Sequence, residues 1–66
     1  MNITLNGESR EIETATTVAG LMDILGYTGK RIAVERNGDI VPKSRHAETE
    51  LSEGDKLEVV VAVGGG

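Results

Sequence analysis

Two Asn-Gly dipeptides, at residues 6–7 and 37–38, constrain the fold of this 66-residue chain more than any other feature of its sequence. Both residue types tolerate the positive φ angles of the tight type I′ turn that joins two antiparallel strands. Alternating apolar and polar residues precede each dipeptide, beginning at Ile3 and at Ile32. The sequence therefore predicts two β-hairpins, one on each side of the segment that separates them.

A single amphipathic segment lies between the two hairpins. Thr16 or Thr17 offers a hydroxyl that can cap the start of a helix, and Gly26 suits the left-handed position that ends one. Between them, apolar residues recur at the spacing of one helix face. These residues are Val18, Leu21, Met22 and Leu25. We therefore predict one helix between the hairpins.

The last apolar segment, residues 57–63, alternates so that each face of a strand carries a different set of side chains. The order of elements is then ββαββ, which predicts an α+β fold with a four- to five-stranded mixed sheet packed on one helix. The first and last strands are expected to run parallel, as in the β-grasp fold of ubiquitin. We assign residues 1–63 to this domain and residues 64–66 to a flexible glycine tail.

Small size and simple composition argue against a catalytic centre within the chain. A chain of 66 residues buries only about 60% of its unfolded surface, which leaves little room for a deep active site, so we expect a protein that is not an enzyme. It has no cysteine and one histidine, His46, so we expect no thiolate chemistry and no metal site. His46 falls in the polar segment 43–50, where we expect a solvated loop or a single helical turn and give the ring no catalytic role.

The charge and hydropathy of the chain restrict its partners. Seven basic and eleven acidic residues give a net charge of −4, which repels phosphate backbones and disfavours nucleic acid as a partner. The first residues lack the pattern of a signal peptide, and the longest apolar run, residues 59–63, is too short to cross a bilayer. We therefore expect a cytoplasmic protein that does not bind membranes.

The glycines Gly64, Gly65 and Gly66 follow the last strand directly. Glycine has no Cβ, so such a segment is thin enough to be drawn into the narrow channel of a partner enzyme. The terminal carboxylate is ionised at neutral pH and is a poor electrophile, so acyl chemistry needs its activation, for example as a mixed anhydride with AMP. The alternative is a flexible end without a role.

A second candidate site is an apolar patch on the sheet face that the helix leaves uncovered. Ala33, Val60 and Ala62 are expected to point away from the helix, with Val63 at the end of the patch. These residues can dock a partner, or they can simply pack against neighbouring side chains, as valine does in a central strand.

The sequence resembles the ThiS family, the sulfur carriers of thiamine (thiazole) biosynthesis, over its full length. The most specific matches are Asn-Gly-Asp-Ile-Val-Pro at residues 37–42 and Val-Gly-Gly-Gly at residues 63–66. Weaker matches agree in order and spacing. These are residues 1–7, 17–21, 33–36 and 51–60.

The resemblance implies a carrier and co-substrate that binds no cofactor itself. A ubiquitin-activating-type adenylyltransferase would use ATP to adenylate Gly66, and sulfur from a cysteine desulfurase or another donor would convert it to a thiocarboxylate. Thiazole synthase would then take the sulfur. By the same resemblance Gly65 and Gly66 carry the essential motif and Gly64 extends it. Two alternatives remain open, a small-subunit carrier of the molybdopterin-synthase type and a ubiquitin-like protein modifier.

Overall fold

The computed structural model describes residues 1–62 of the chain. Within these residues a short 3₁₀ helix, Lys43–Arg45, accompanies one α-helix and five strands. The strands and the α-helix are β1 (Asn2–Leu5), β2 (Glu8–Glu11), α1 (Val18–Ile24), β3 (Ile32–Arg36), β4 (Asp39–Ile40) and β5 (Lys56–Val61). The predicted mixed sheet on one helix is confirmed, and the two-residue β4 supplies its fifth strand.

The strand order is β2-β1-β5-β3-β4, which places β5 at the centre of the sheet. β5 runs parallel to β1, with Thr4 opposite Lys56, and antiparallel to β3, with Ile32 opposite Val61. The predicted parallel pairing of the first and last strands is therefore confirmed. The start of β5 pairs with both neighbours, whereas its end, up to Val61, pairs with β3.

Both Asn-Gly dipeptides form the predicted hairpin turns. Asn6 and Gly7 have φ angles of 50° and 83°, and Asn37 and Gly38 have φ angles of 52° and 91°. Positive φ at both central positions is the mark of a type I′ turn. The turns join β1 to β2 and β3 to β4, and both pairs are antiparallel.

Helix α1 begins and ends where its sequence predicts. The Thr17 hydroxyl accepts a hydrogen bond from the Gly20 amide at 3.0 Å, and Gly26 has a φ angle of 78° just beyond the helix. The carbonyl groups of His46 and Thr49 accept hydrogen bonds from the first amides of the helix. The N-terminal donors are thus satisfied within the chain, and they fasten the segment after β4 to the helix.

The apolar faces of α1 and the sheet meet in one core. The alternation predicted for β5 is confirmed, because Leu57 and Val59 are buried while Val60 is exposed. Ile12, just past the end of β2, also points inward. The buried apolar residues are Ile3, Ile12, Val18, Leu21, Met22, Val34, Leu51, Leu57 and Val59.

The expectation of a solvated His46 is wrong. Its side chain is only 7% exposed, and Nε2 lies 3.0 Å from the Val41 carbonyl oxygen. The 3₁₀ helix Lys43–Arg45 directs its own side chains outward and turns His46 toward α1, whose Ala19 amide donates to the His46 carbonyl. Neither this helix nor α1 is long and apolar enough to cross a membrane.

Candidate functional site

The central strand ends beside the start of β3. Val61 is opposite Ile32, and the Ala62 amide donates a hydrogen bond of 2.8 Å to the Arg31 carbonyl. The sheet thus fixes the chain up to Ala62. The residues predicted to carry sulfur or to be recognised in the tail, Gly64, Gly65 and Gly66, lie outside the described residues, as does Val63.

The predicted patch on the uncovered face of the sheet has the geometry expected of it. Val60 is 65% exposed and lies directly opposite Ala33, which is also exposed. Ala62 is exposed and follows Val60 by two residues. We call Ala33, Val60 and Ala62 the open-face patch. That it binds a partner stays a prediction.

The structure adds one apolar residue, Ile40, to this face that the sequence did not indicate. Ile40 is 73% exposed and lies opposite Glu35, which in turn lies opposite Glu58 on β5. Glu35 is two residues from Ala33, so all these side chains share the uncovered face. Two carboxylates directly opposite each other repel. Lys56, two residues before Glu58 in β5, lies on the same face, so this face combines apolar groups with two facing carboxylates and one ammonium group.

A buried polar cluster centred on Asp55 lies where β5 begins. Asp55 is 6% exposed and accepts hydrogen bonds from the Ser52 amide at 2.8 Å and from Asn37 Nδ2 at 3.0 Å. Its Oδ2 also accepts from Nε of Arg36 at 2.8 Å. Burial raises the pKa of the Asp55 carboxyl, but these three donors outweigh burial and hold the pKa below its ordinary value.

This cluster positions β5 and offers no reactive group. The carboxylate oxygens of Asp55 accept their hydrogen bonds from Arg36, Asn37 and Ser52. Asn37 Oδ1 in turn accepts a hydrogen bond of 2.9 Å from the Lys56 amide. The turn before β5 is thereby tied to the turn between β3 and β4. Across residues 1–62, no three His, Cys, Asp or Glu side chains lie together in a way that could hold a metal ion.

A helix on one face of a mixed sheet, with the first and last strands parallel at its centre, defines the β-grasp class of ubiquitin-like proteins. The ThiS family model matches residues 3–66, which is nearly all of the sequence and includes the final glycines. The chain belongs to the ThiS family.

Curated relatives agree with this assignment. The sulfur carrier protein ThiS of Bacillus subtilis is 38% identical over 63 residues, which are 94% of this chain and 96% of that protein. Two proteins named thiazole synthase are also similar over all 66 residues, at 46% identity in Paramagnetospirillum magneticum and 42% in Magnetococcus marinus. The chain spans only 20% of the length of each of these two.

A solved structure has the same fold. The crystal structure of the thiamine biosynthesis protein ThiS from Geobacter metallireducens superposes with a TM-score of 0.84. The two sequences are 28% identical, and the match covers 100% of both chains. The arrangement of β5 at the centre of the sheet is therefore that of a ThiS protein.

Proposed function

We propose that this chain is a sulfur carrier of thiamine biosynthesis and that the carboxylate of Gly66 carries the sulfur. The observation that supports this most directly is the match to the ThiS family, which includes the glycines at residues 64–66. The name of the Bacillus subtilis relative, sulfur carrier protein, points in the same direction. The fold contributes the central strand β5, which ends at Val61, three residues before Gly64.

The chemistry takes place on partner enzymes. An adenylyltransferase of the ubiquitin-activating type joins the Gly66 carboxylate to the AMP portion of ATP and releases pyrophosphate. A sulfur nucleophile, derived from a cysteine desulfurase or another donor, then attacks the acyl carbon and displaces AMP, which leaves with one carboxylate oxygen. Because this chain contains no cysteine, the nucleophile comes from a partner. Where the nucleophile is a persulfide, a thiol then attacks its S–S bond, which releases the thiocarboxylate of Gly66 and leaves a disulfide between that thiol and the donor.

Thiazole synthase is the acceptor that we propose for the sulfur. Two proteins of that name contain a region similar to this entire chain, which supports a functional link between the carrier and the synthase. The alternative carriers, of the molybdopterin-synthase type, and the protein modifiers share the activation step. They differ in the fate of the activated carboxylate, so the product identifies the function.

The open-face patch is the surface that we propose for docking on the adenylyltransferase. Val60 and Ala33 supply exposed apolar area, and the facing carboxylates of Glu35 and Glu58 favour a partner surface with arginine or lysine. This face includes Val60 of β5, the strand that precedes the glycines in the sequence.

Activation of Gly66 is tested by following pyrophosphate release. The full chain, the adenylyltransferase of the same organism and ATP are expected to release about one pyrophosphate per chain, and a variant lacking Gly65 and Gly66 is expected to release none. The shortened chain keeps residues 1–62, so its melting temperature serves as the fold control. Equal release from both chains would show that the carboxylate of Gly66 is not the activated group.

A further inference from the structure

A cavity of about 230 Å³ lies on the helix side of the sheet, away from the open-face patch. It is formed by α1, the loop at residues 27–30, the start of β3 and the 3₁₀ helix. Met22, Ile32 and Ala19 give it an apolar floor. Ile32 and Ala33 are consecutive in β3 and face opposite sides, so the cavity and the open-face patch are separate surfaces.

The charged residues that line this cavity have the opposite sign to the net charge of the chain. The chain carries eleven acidic and seven basic residues, yet the lining contains Lys30 and Lys43 and no aspartate or glutamate. Both lysines are exposed, and neither forms a salt bridge with any residue from 1 to 62. Two unpaired ammonium groups beside an apolar floor favour a ligand that is both apolar and anionic.

His46 adds a hydrogen-bonding group to the same lining. Its Nε2 lies 3.0 Å from the Val41 carbonyl oxygen, and because a carbonyl only accepts, Nε2 carries a hydrogen. In the neutral ring Nδ1 is then an acceptor. Within residues 1–62 Nδ1 has no hydrogen-bond partner. Since no buried side-chain nitrogen there lacks a partner, Nδ1 must be accessible to solvent. It can therefore accept a hydrogen bond from a ligand N–H.

We propose that this cavity is a second docking site, which takes a segment of a partner protein with one bulky apolar side chain flanked by carboxylates. The apolar side chain occupies the floor, the carboxylates approach Lys30 and Lys43, and a peptide N–H reaches His46. The volume is below the roughly 300–1,000 Å³ of small-molecule sites, which suits one side chain better than a cofactor. The proposal is independent of the chemistry at Gly66.

The site is tested with a capped pentapeptide that has leucine at its centre and aspartate at all other positions. The peptide is titrated into the isotope-labelled full chain and followed by NMR. The amides that shift are expected to cluster at residues 27–32 and 43–47. Replacing the central leucine by glycine is expected to weaken binding about tenfold or more, because the buried apolar area is lost. Replacing the aspartates by lysines is expected to abolish binding.

Charge reversal on the protein tests the role of the lysines. Lys30→Glu and Lys43→Glu are each expected to weaken peptide binding about two- to fivefold, the contribution of an exposed ion pair. Lys56→Glu is the matched control, because Lys56 is an exposed lysine outside this lining and its reversal changes the net charge equally. It is expected to leave the affinity within about twofold. Amide spectra of each variant establish that the fold is kept.

Several results would overturn the proposal. The first is the lack of saturable shifts up to about 5 mM peptide, since a dissociation constant of about 1 mM would be seen there. A second contradicting result is a set of amide chemical-shift changes centred on Val60 and Ala33 in place of the cavity residues. Equal binding of the lysine peptide would also contradict it. If the cavity amides instead shift on dilution of the protein alone, or on removal of residues 64–66, the occupant is a second copy or the chain's own end, and the proposal is wrong.

Discussion

At the scale of single residues, Asp55 is the side chain on which the start of the central strand most depends. It is buried and joined by three hydrogen bonds to Ser52, Asn37 and Arg36. We expect Asp55→Asn to lower the free energy of unfolding at neutral pH by about 1–3 kcal/mol, because the charged acceptor of these bonds is lost. Urea unfolding measures the change. Asp39→Asn, at an exposed aspartate of β4, is the control, with an expected change within about 0.5 kcal/mol.

The same substitution predicts a pH dependence with a defined sign. The folded-state pKa of Asp55 is lowered, so its contribution to stability is fully present above the unfolded-state pKa of about 3.9. It is lost as the pH falls through the folded-state pKa. The difference in stability between the native chain and Asp55→Asn is therefore expected to be largest at neutral pH and to narrow as the pH falls below the unfolded-state pKa. A difference that stayed constant over this range would contradict the ionised Asp55 cluster.

Single residues also show where sequence reasoning ends. The Asn-Gly dipeptides predicted both turns, because the need for positive φ is a property of two adjacent residues. The sequence did not indicate that the Asn6 side chain would bridge β1 and β5, donating to the Val59 carbonyl and accepting from its amide at 2.8 Å. That contact joins residues 53 positions apart, so it cannot be predicted from the pattern of neighbouring residues. The burial of His46 and Asp55 was missed for the same reason.

At the scale of elements, the facing carboxylates of β3 and β5 are expected to reduce stability. Glu35 lies directly opposite Glu58, and like charges in that position repel. Glu58→Gln is therefore expected to raise the free energy of unfolding by about 0.2–1 kcal/mol at low salt, measured by urea unfolding. The gain is expected to shrink in about 1 M salt, where charges are screened. In the double variant with Glu35→Gln, little further gain is expected.

A gain from Glu58→Gln that was absent, or that was as large at high salt as at low salt, would exclude repulsion between the two carboxylates. If the repulsion is present, Glu35 and Glu58 lower the free energy of unfolding of the chain, and both lie on the face that we propose for docking. A partner with arginine or lysine at this position would relieve it on binding.

The open-face patch gives a prediction for partner binding. Val60→Asp is expected to weaken binding to the adenylyltransferase about tenfold or more, the loss typical of a central apolar contact. Because Val60 is 65% exposed, the fold is expected to survive with a change of about 1 kcal/mol. Calorimetric titration measures the affinity. Ile24→Asp is the control, since Ile24 is 62% exposed on α1. Equal affinities for both variants would remove the patch from the interface.

The sequence predicted those helices and strands whose apolar residues repeat with a regular period. Two patterns were evident because each element is buried on one side only. They are the helix face at Val18, Leu21 and Met22 and the alternation in β5. The turn at Asn37-Gly38 predicted a returning strand, but β4 has only two residues, Asp39–Ile40, too few for alternation to show which face each side chain takes. The exposure of Ile40 therefore emerges only from its register with Glu35.

At the scale of the whole molecule, the order of the strands is what the sequence could not specify. The parallel pairing of β1 with β5 follows from packing a single helix over the sheet, and the structure confirms it. The central place of β5, between β1 and β3, depends on contacts between distant segments. Two surfaces, the facing carboxylates of Glu35 and Glu58 on the open face and the cavity lined by Lys30 and Lys43, also exist only in the folded molecule.

The central claim is that the carboxylate of Gly66 becomes a thiocarboxylate. The direct measurement is the intact mass of the full chain after incubation with the adenylyltransferase of the same organism, ATP, a persulfide donor and a thiol that cleaves the acyl persulfide. We expect a gain equal to the exchange of one oxygen for sulfur, which requires ATP and is absent when Gly65 and Gly66 are deleted. An unchanged mass despite pyrophosphate release, or conjugates to lysines of other proteins in its place, would contradict the sulfur-carrier function.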